Sequence, residues 1–325
     1  MIGGTKPYGP QAVWPMMRLW TSTDLTHWEP QGEFLEPTPL SARHDDGACP
    51  NFVPIGDKYI LLFFSHTNGG QYFLGDYQRQ KHRFKPYDHG RFNHGRVAPG
   101  GVHAPSAAAD GQGGVINILN INDGKQSDKW DQIMSLPQRL SLTADKQLCL
   151  EPVEAITTLR GAHWHLGETR IVANKERVLE GITGTTLELE MELEPQEARW
   201  VQLNVLRSPA AQERTSITFY NYDRQLSYWY HTPGEICLDG SFSSILSDVW
   251  MRPPERTVVP RCGEPLRLRV FIDRSVVEVF VNSRHYLAMR VYPGRQDSQS
   301  ISLYAHGQDA LLKNLDIWQM ASIWT

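Results

Sequence analysis

The stretch Leu187-Glu188-Leu189-Glu190-Met191-Glu192-Leu193 alternates without a break between apolar residues and carboxylates. A period of two puts every apolar side chain on one face of a strand and every acid on the other, a division that helical spacing would scramble. Leu266-Arg267-Leu268-Arg269-Val270-Phe271-Ile272 and Val277-Glu278-Val279-Phe280-Val281 follow the same rule. The turn Asp273-Arg274-Ser275 between them predicts a hairpin. Val270, Ile272, Val277, Val279 and Val281 are branched and suit a half-buried pleated surface, so Asp273 reads as a turn residue and not as a catalyst. Further strands are predicted over 200–206, 217–222, 225–230, 286–292 and 301–305. Short strands at even spacing with turn signals predict a β-sandwich across 161–325.

Residues 1–160 have a different texture. Candidate strands over 58–65, 71–76, 115–121 and 132–135 are short, and the loops between them are rich in Gly, Pro, His and Asp. Small four-stranded sheets repeated around an axis produce this pattern, but no exact internal repeat is visible, so the texture of 1–160 fits a β-propeller only somewhat better than a second sandwich. The natural boundary is Leu150-Glu151-Pro152-Val153-Glu154 and its continuation to Arg160. With 21 prolines and 26 glycines spread through 325 residues, and no convincing helical periodicity, the fold class is all-β.

Bulk properties narrow the function classes. A formal net charge of −4 gives no electrostatic reason to expect nucleic acid or an anionic membrane as partner. No apolar run approaches the roughly 18 residues needed to span a bilayer as a helix. Cys49, Cys149, Cys237 and Cys262 are scattered without a C-x-x-C spacing, so neither a zinc site nor a disulfide framework is predicted. His163 and His165 share a strand face, but no further ligand is evident, and no metal is expected. The N-terminus lacks the basic and apolar regions of a signal peptide, and the chain has no N-x-S/T sequon. With Met1 as the true start, these features favour the cytoplasm.

The segments Leu19–Glu36, Ala48–His66, His103–Gly114, Trp130–Leu142, Leu268–Asn282 and Arg290–Pro293 together resemble glycoside hydrolase family 32, the invertases, inulinases, levanases and related fructosidases. Leu19–Glu36 (LWTSTDLTHWEPQGEFLE) is similar to a blade segment in which a strand, a Ser-x-Asp-Leu turn and a Trp-Glu pair recur. Ala48–His66 (ACPNFVPIGDKYILLFFSH) resembles the stretch with the family's Glu-Cys-Pro-Asp motif. His103–Gly114 looks like its Ala-Pro-x-Ser segment, and Trp130–Leu142 like its Met-Thr-Leu-Pro-Arg-Glu-Leu segment. Leu268–Asn282 and Arg290–Pro293 resemble the signature hairpin of the family's C-terminal sandwich. The likeness covers nearly the whole chain, in the family's order. It implies a partial five-bladed-type β-propeller followed by a β-sandwich.

It also implies a reaction. Hydrolysis with retention uses two carboxyl groups about 5–5.5 Å apart, one a nucleophile and one a proton donor, and no cofactor. The substrates would be β-fructofuranosides: sucrose, fructo-oligosaccharides, inulin or levan. In the family pattern the nucleophile lies in a Trp-Met-Asn-Asp-Pro-Asn segment, and a transition-state Asp in Arg-Asp-Pro. This sequence contains no Asp-Pro pair. Met1-Ile2-Gly3-Gly4 looks like the strand that follows Arg-Asp-Pro, so the chain is expected to begin within a blade and to hydrolyse poorly or not at all. A start assigned too late in a longer gene would have the same effect.

The acid/base position departs from the pattern as well. Ala48 precedes Cys49-Pro50-Asn51 where the common motif has Glu. Some relatives carry an acidic pair earlier, as Glu-Asp-x-Ser-Cys, and Asp45-Asp46-Gly47-Ala48-Cys49 matches that layout. Asp45 and Asp46 are therefore the acid/base candidates, with neither favoured, against the reading of an ordinary solvated turn. Cys49, His66, His103 and Trp130 are the substrate-binding candidates. The alternative from another class is a non-catalytic carbohydrate-binding or assembly protein of the same descent. An unclosed propeller leaves sheet edges unpaired, which points to a homo-oligomer or to packing against the sandwich.

Overall fold

The computed structural model describes residues 1–5, 16–42, 44–221, 234–260 and 264–324. The strand expected over 225–230 and Cys262 lie outside them. Two compact units form. The first holds Met1–Val97, Gly101–Asn122 and Gln132–Val153, and the second holds Ala98–Gly100, Asp123–Asp131 and Glu154–Thr325.

The first unit is three antiparallel sheets. β1 (Ile2–Thr5), β2 (Met16–Thr21) and β3 (Glu29–Glu33) make one. β4 (Ala48–Ile55), β5 (Lys58–Ser65), β6 (Gly69–Gln78) and β7 (Arg83–Arg91) make a four-stranded meander. The third contains β8 (Val102–Ala109), β9 (Val115–Ile121), β10 (Ile133–Met134), β11 (Gln138–Leu142) and β12 (Leu148–Pro152). Each is a run of strands joined by short connections, with β4 lying against both β1 and β8, the packing of propeller blades.

An aromatic core holds the first two sheets together. Met17, Leu19, Phe34, Leu61, Phe63, Phe73 and Phe84 are buried in one cluster, with Phe52, Tyr59 and Tyr77 packed on it. Phe52 meets Phe34 and Phe84 edge-on at 4.8 and 5.2 Å between ring centroids, within the range that favours such pairs. β5 explains why the cluster forms here. Ile60–Phe64 is apolar at every position, so it is buried on both faces, as a strand inside a stack must be.

The second unit is a β-sandwich. Its first sheet runs β13 (Arg160–Leu166), β25 (Ala310–Met320), β16 (Thr186–Glu194), β21 (Leu266–Asp273), β22 (Val276–Val281) and β23 (His285–Arg290), with β14 (Thr169–Ile171) also on β25. The second runs β15 (Arg177–Thr183), β24 (Ser300–His306), β17 (Trp200–Arg207), β18 (Thr215–Tyr220), β19 (Glu235–Asp239) and β20 (Glu255–Val258). One core fills the space between them, with Leu187, Leu189, Val270 and Val279 from the first sheet and Leu203, Ile217 and Leu303 from the second. Each such side chain contributes about 1.5–3 kcal/mol by leaving water.

Candidate active site

Antiparallel pairing gathers four strand ends at one end of the β4–β7 sheet. Ala48 pairs with Phe64, Ser65 with Gly69, and Gln71 with Arg91. Asp45 and Asp46 lie immediately before β4, and His66 and Asn68 sit in the β5–β6 turn. Gly47 has φ +64°, which only glycine adopts at low cost, and it turns the chain from Asp46 into β4.

The two carboxylates face different partners. Asp45 has no exposed surface. Its Oδ1 accepts a hydrogen bond from Asn68 Nδ2 at 2.7 Å and its Oδ2 one from the Ala42 N–H at 3.0 Å. Asp46 is also buried, and both its oxygens go to one residue: Oδ1 accepts the His66 backbone N–H at 2.9 Å, and Oδ2 lies 2.5 Å from His66 Nδ1. The His66 side chain is 59% exposed. Its ring sits 4.8 Å from that of Phe64, and Phe64 meets His103 edge-on at 5.5 Å. Burial holds the His103 imidazole below its usual pKa, and the neighbouring His66 adds to this.

Sequence reading missed His89 and Gln71. His89 Nε2 lies 2.8 Å from Gln71 Oε1, and its ring packs 5.1 Å from Phe73. Burial, helped by Arg91 and opposed by Asp45, pushes the imidazole down to about 4, so His89 is neutral near pH 7. The tandem His89-Gly90-Arg91 and His94-Gly95-Arg96 was the available signal. Among the described residues, no group of three His, Cys, Asp or Glu side chains is arranged to hold a metal ion. His163 Nε2 and His165 Nδ1 instead both meet Asp316 Oδ1, at 2.8 and 2.9 Å.

Residues 155–319 match the C-terminal domain of glycosyl hydrolases family 32, and residues 11–152 match its N-terminal domain. The chain belongs to glycosyl hydrolase family 32. It is 28% identical over 292 residues to a sucrose-6-phosphate hydrolase of Escherichia coli, covering 84% of this chain and 55% of that one. It is also 28% identical to raffinose invertase of Escherichia coli, over 82% of this chain and 50% of the relative. The chain thus spans about half the length of these curated relatives. Among solved structures it is similar to fructan 1-exohydrolase IIa from Cichorium intybus, with TM-score 0.79 and 18% identity over 95% of this chain and 67% of that one. A variant of that enzyme has been solved in complex with 1-kestose. The fold shared with these neighbours is a β-propeller followed by a β-sandwich.

Ala48 opens β4 opposite Phe64, and a bulge separates it from Asn51. Asn51, where the common motif has Asp, turns to the backbone. Its Nδ2 donates to the Cys49 and Pro105 carbonyls at 3.0 and 2.9 Å, and its Oδ1 accepts the Ala107 N–H at 3.4 Å, so it ties β4 to β8. Cys49 is exposed with φ +48°. Asp45, Asp46, His66 and Asn68 come together, and Phe64 brings His103 alongside. Trp130 belongs to the second unit. There its half-exposed ring lies 5.1 Å from the Arg290 guanidinium.

Proposed function

We propose that this chain is a β-fructofuranosidase-type glycoside hydrolase scaffold that binds β-fructofuranosides such as sucrose, fructo-oligosaccharides, inulin or levan. The observation that supports the reading is the buried acidic pair Asp45 and Asp46 just before β4 in a family 32 chain, in the Asp-Asp-Gly-Ala-Cys layout that resembles the earlier acidic pair of some relatives. These 325 residues contain the proton-handling half of a retaining site. They contain no Asn-Asp-Pro segment to supply the nucleophile. A retaining hydrolase needs both, so the chain assayed alone is expected to bind fructosides and turn them over far below ordinary enzyme rates. Ala48 in the usual Glu position also supports a second reading, a carbohydrate-binding relative without hydrolysis.

Two measurements on the purified chain test this. Calorimetric titration with 1-kestose and short inulins is expected to show saturable binding, and incubation with sucrose only trace release of fructose. Failure to bind any fructoside would overturn the substrate class. Turnover of sucrose at about 1–10³ per second, the usual enzymatic range, would show that a nucleophile is present after all.

A further inference from the structure

We infer that His66, oriented by Asp46, is the group that delivers the proton to the leaving oxygen at this site, while Asp45 serves to hold the turn. The inference rests on the fructoside reading given above.

Three observations carry it. Ala48 has no proton to give, so the donor must be another group at the same strand end. Asp45 is sealed: no part of it reaches solvent, and its two oxygens are taken by Asn68 and the Ala42 N–H. Asp46 is nearly sealed, but the residue it holds is not. Two hydrogen bonds from one residue, through its backbone N–H and Nδ1, fix the His66 ring against the carboxylate at 2.9 and 2.5 Å. With Nδ1 engaged by the Asp46 carboxylate, Nε2 is the ring nitrogen left for another partner. That ring is more than half exposed and is braced on its flank by Phe64. The arrangement is an acid-held imidazole on a side chain that reaches solvent, the logic by which a buried Asp orients a catalytic His elsewhere. Asp46 is a positioning residue, and His66 is the proton-transfer group.

The step balances as follows. A nucleophile attacks the anomeric C2 of the fructosyl unit, and the C2–O bond breaks with both electrons going to the leaving oxygen. That oxygen takes the Nε2 proton of the imidazolium, and the neutral ring is reprotonated from solvent. An added azide ion can act as the nucleophile, which makes the step observable without a protein nucleophile.

The test is the rate at which the purified 325-residue protein forms fructosyl azide. Two donors are compared: sucrose, whose leaving alkoxide needs a proton, and an aryl fructoside whose phenolate does not. Affinity for 1-kestose is measured beside them. His66→Ala and His66→Gln are expected to lower the sucrose rate about 10²–10⁴-fold, the usual contribution of a positioned acid. The aryl rate should fall far less than the sucrose rate in both variants. Asp46→Asn should lower the sucrose rate with the same sparing of the aryl donor. Equal losses with both donors would make His66 merely structural and overturn the inference, as would a sucrose-selective loss confined to Asp45→Asn. A parent protein that binds 1-kestose but yields no fructosyl azide from sucrose would also overturn it, leaving the fructoside reading intact. A parent that does not bind 1-kestose would overturn both.

Discussion

Glu213 has no exposed surface, yet four donors converge on its two oxygens. The Ile245 and Gly294 N–H groups reach Oε1 at 2.7 and 2.8 Å, and the Arg295 N–H and Ser298 Oγ reach Oε2 at 3.0 and 2.6 Å. Burial alone raises its pKa, but the Ser298 hydroxyl and the three N–H groups together hold it below the usual carboxylate value. A group with a lowered folded pKa stabilises the fold above its unfolded value, and that stability fades as pH falls through the folded one. The contribution is therefore full near neutrality and lost in acid below about pH 4. Glu213→Ala strands three backbone donors, and it should cost about 3 kcal/mol or more at pH 7. Urea titrations at pH 7 and pH 3 check both parts: the gap between parent and variant should shrink at the lower pH. Glu188 is also fully buried, and its carboxylate accepts from Arg160 at 2.8 and 2.7 Å and from Arg269 at 2.6 Å. It sits on the polar face of an alternating strand, so its sequence position gave no hint that two arginines would cover it.

At the scale of elements, the hairpin of β21 and β22 is the best-specified piece of the chain. Val270 pairs with Val279 and Ile272 with Val277, in a register that buries all four. The turn places Arg274 at φ +50°. Ile272→Ala should cost about 2–5 kcal/mol as a large-to-small change in a filled core, seen as a lower urea midpoint with an unchanged m-value. Strict alternation made this hairpin and β16 legible, 58–65 was legible as an apolar run, and 115–121 by its Val, Ile and Leu residues around Asn117 and Asn120. β13 was legible only through His163 and His165 on one face, because Arg160–Leu166 mixes polar and apolar residues that all keep some exposure, so no hydrophobic period marks it. The candidate site was legible only in part. Asp45, Asp46 and His66 could be picked out individually, but which carboxylate meets which donor depends on the β4–β5 register and on the turn at Gly47. A bulge and a left-handed residue lie between Asp46 and the regular ladder, and neither follows from residue type alone.

At the scale of the molecule, the second unit is not a contiguous stretch of sequence. It includes Ala98–Gly100 and Asp123–Asp131. Arg252 Nη1 donates to the Gly100 carbonyl at 2.8 Å as well as to that of Ala288 at 3.0 Å. The Trp250 N–H donates to the Gly124 carbonyl at 2.8 Å, the Gly124 N–H to Tyr292 Oη at 3.1 Å, and Lys125 pairs with Asp248 at 2.9 Å. A fragment cut at the obvious boundary, residues 154–325, keeps both sheets and their common core and should therefore fold. It loses these partners, however, and the Gly100 carbonyl is the costliest loss because Arg252 is buried and charged. A charged hydrogen bond of this kind is worth about 1.5–3 kcal/mol. Core amides of β22 should then exchange at least tenfold faster in the fragment than in the full chain, since tenfold corresponds to about 1.4 kcal/mol. Arg252→Ala in the full chain should reproduce part of that loss. Equal protection in fragment and full chain would mean that the two early segments only rest on the sandwich. Faster exchange would mean that it is folded partly by residues more than a hundred positions away.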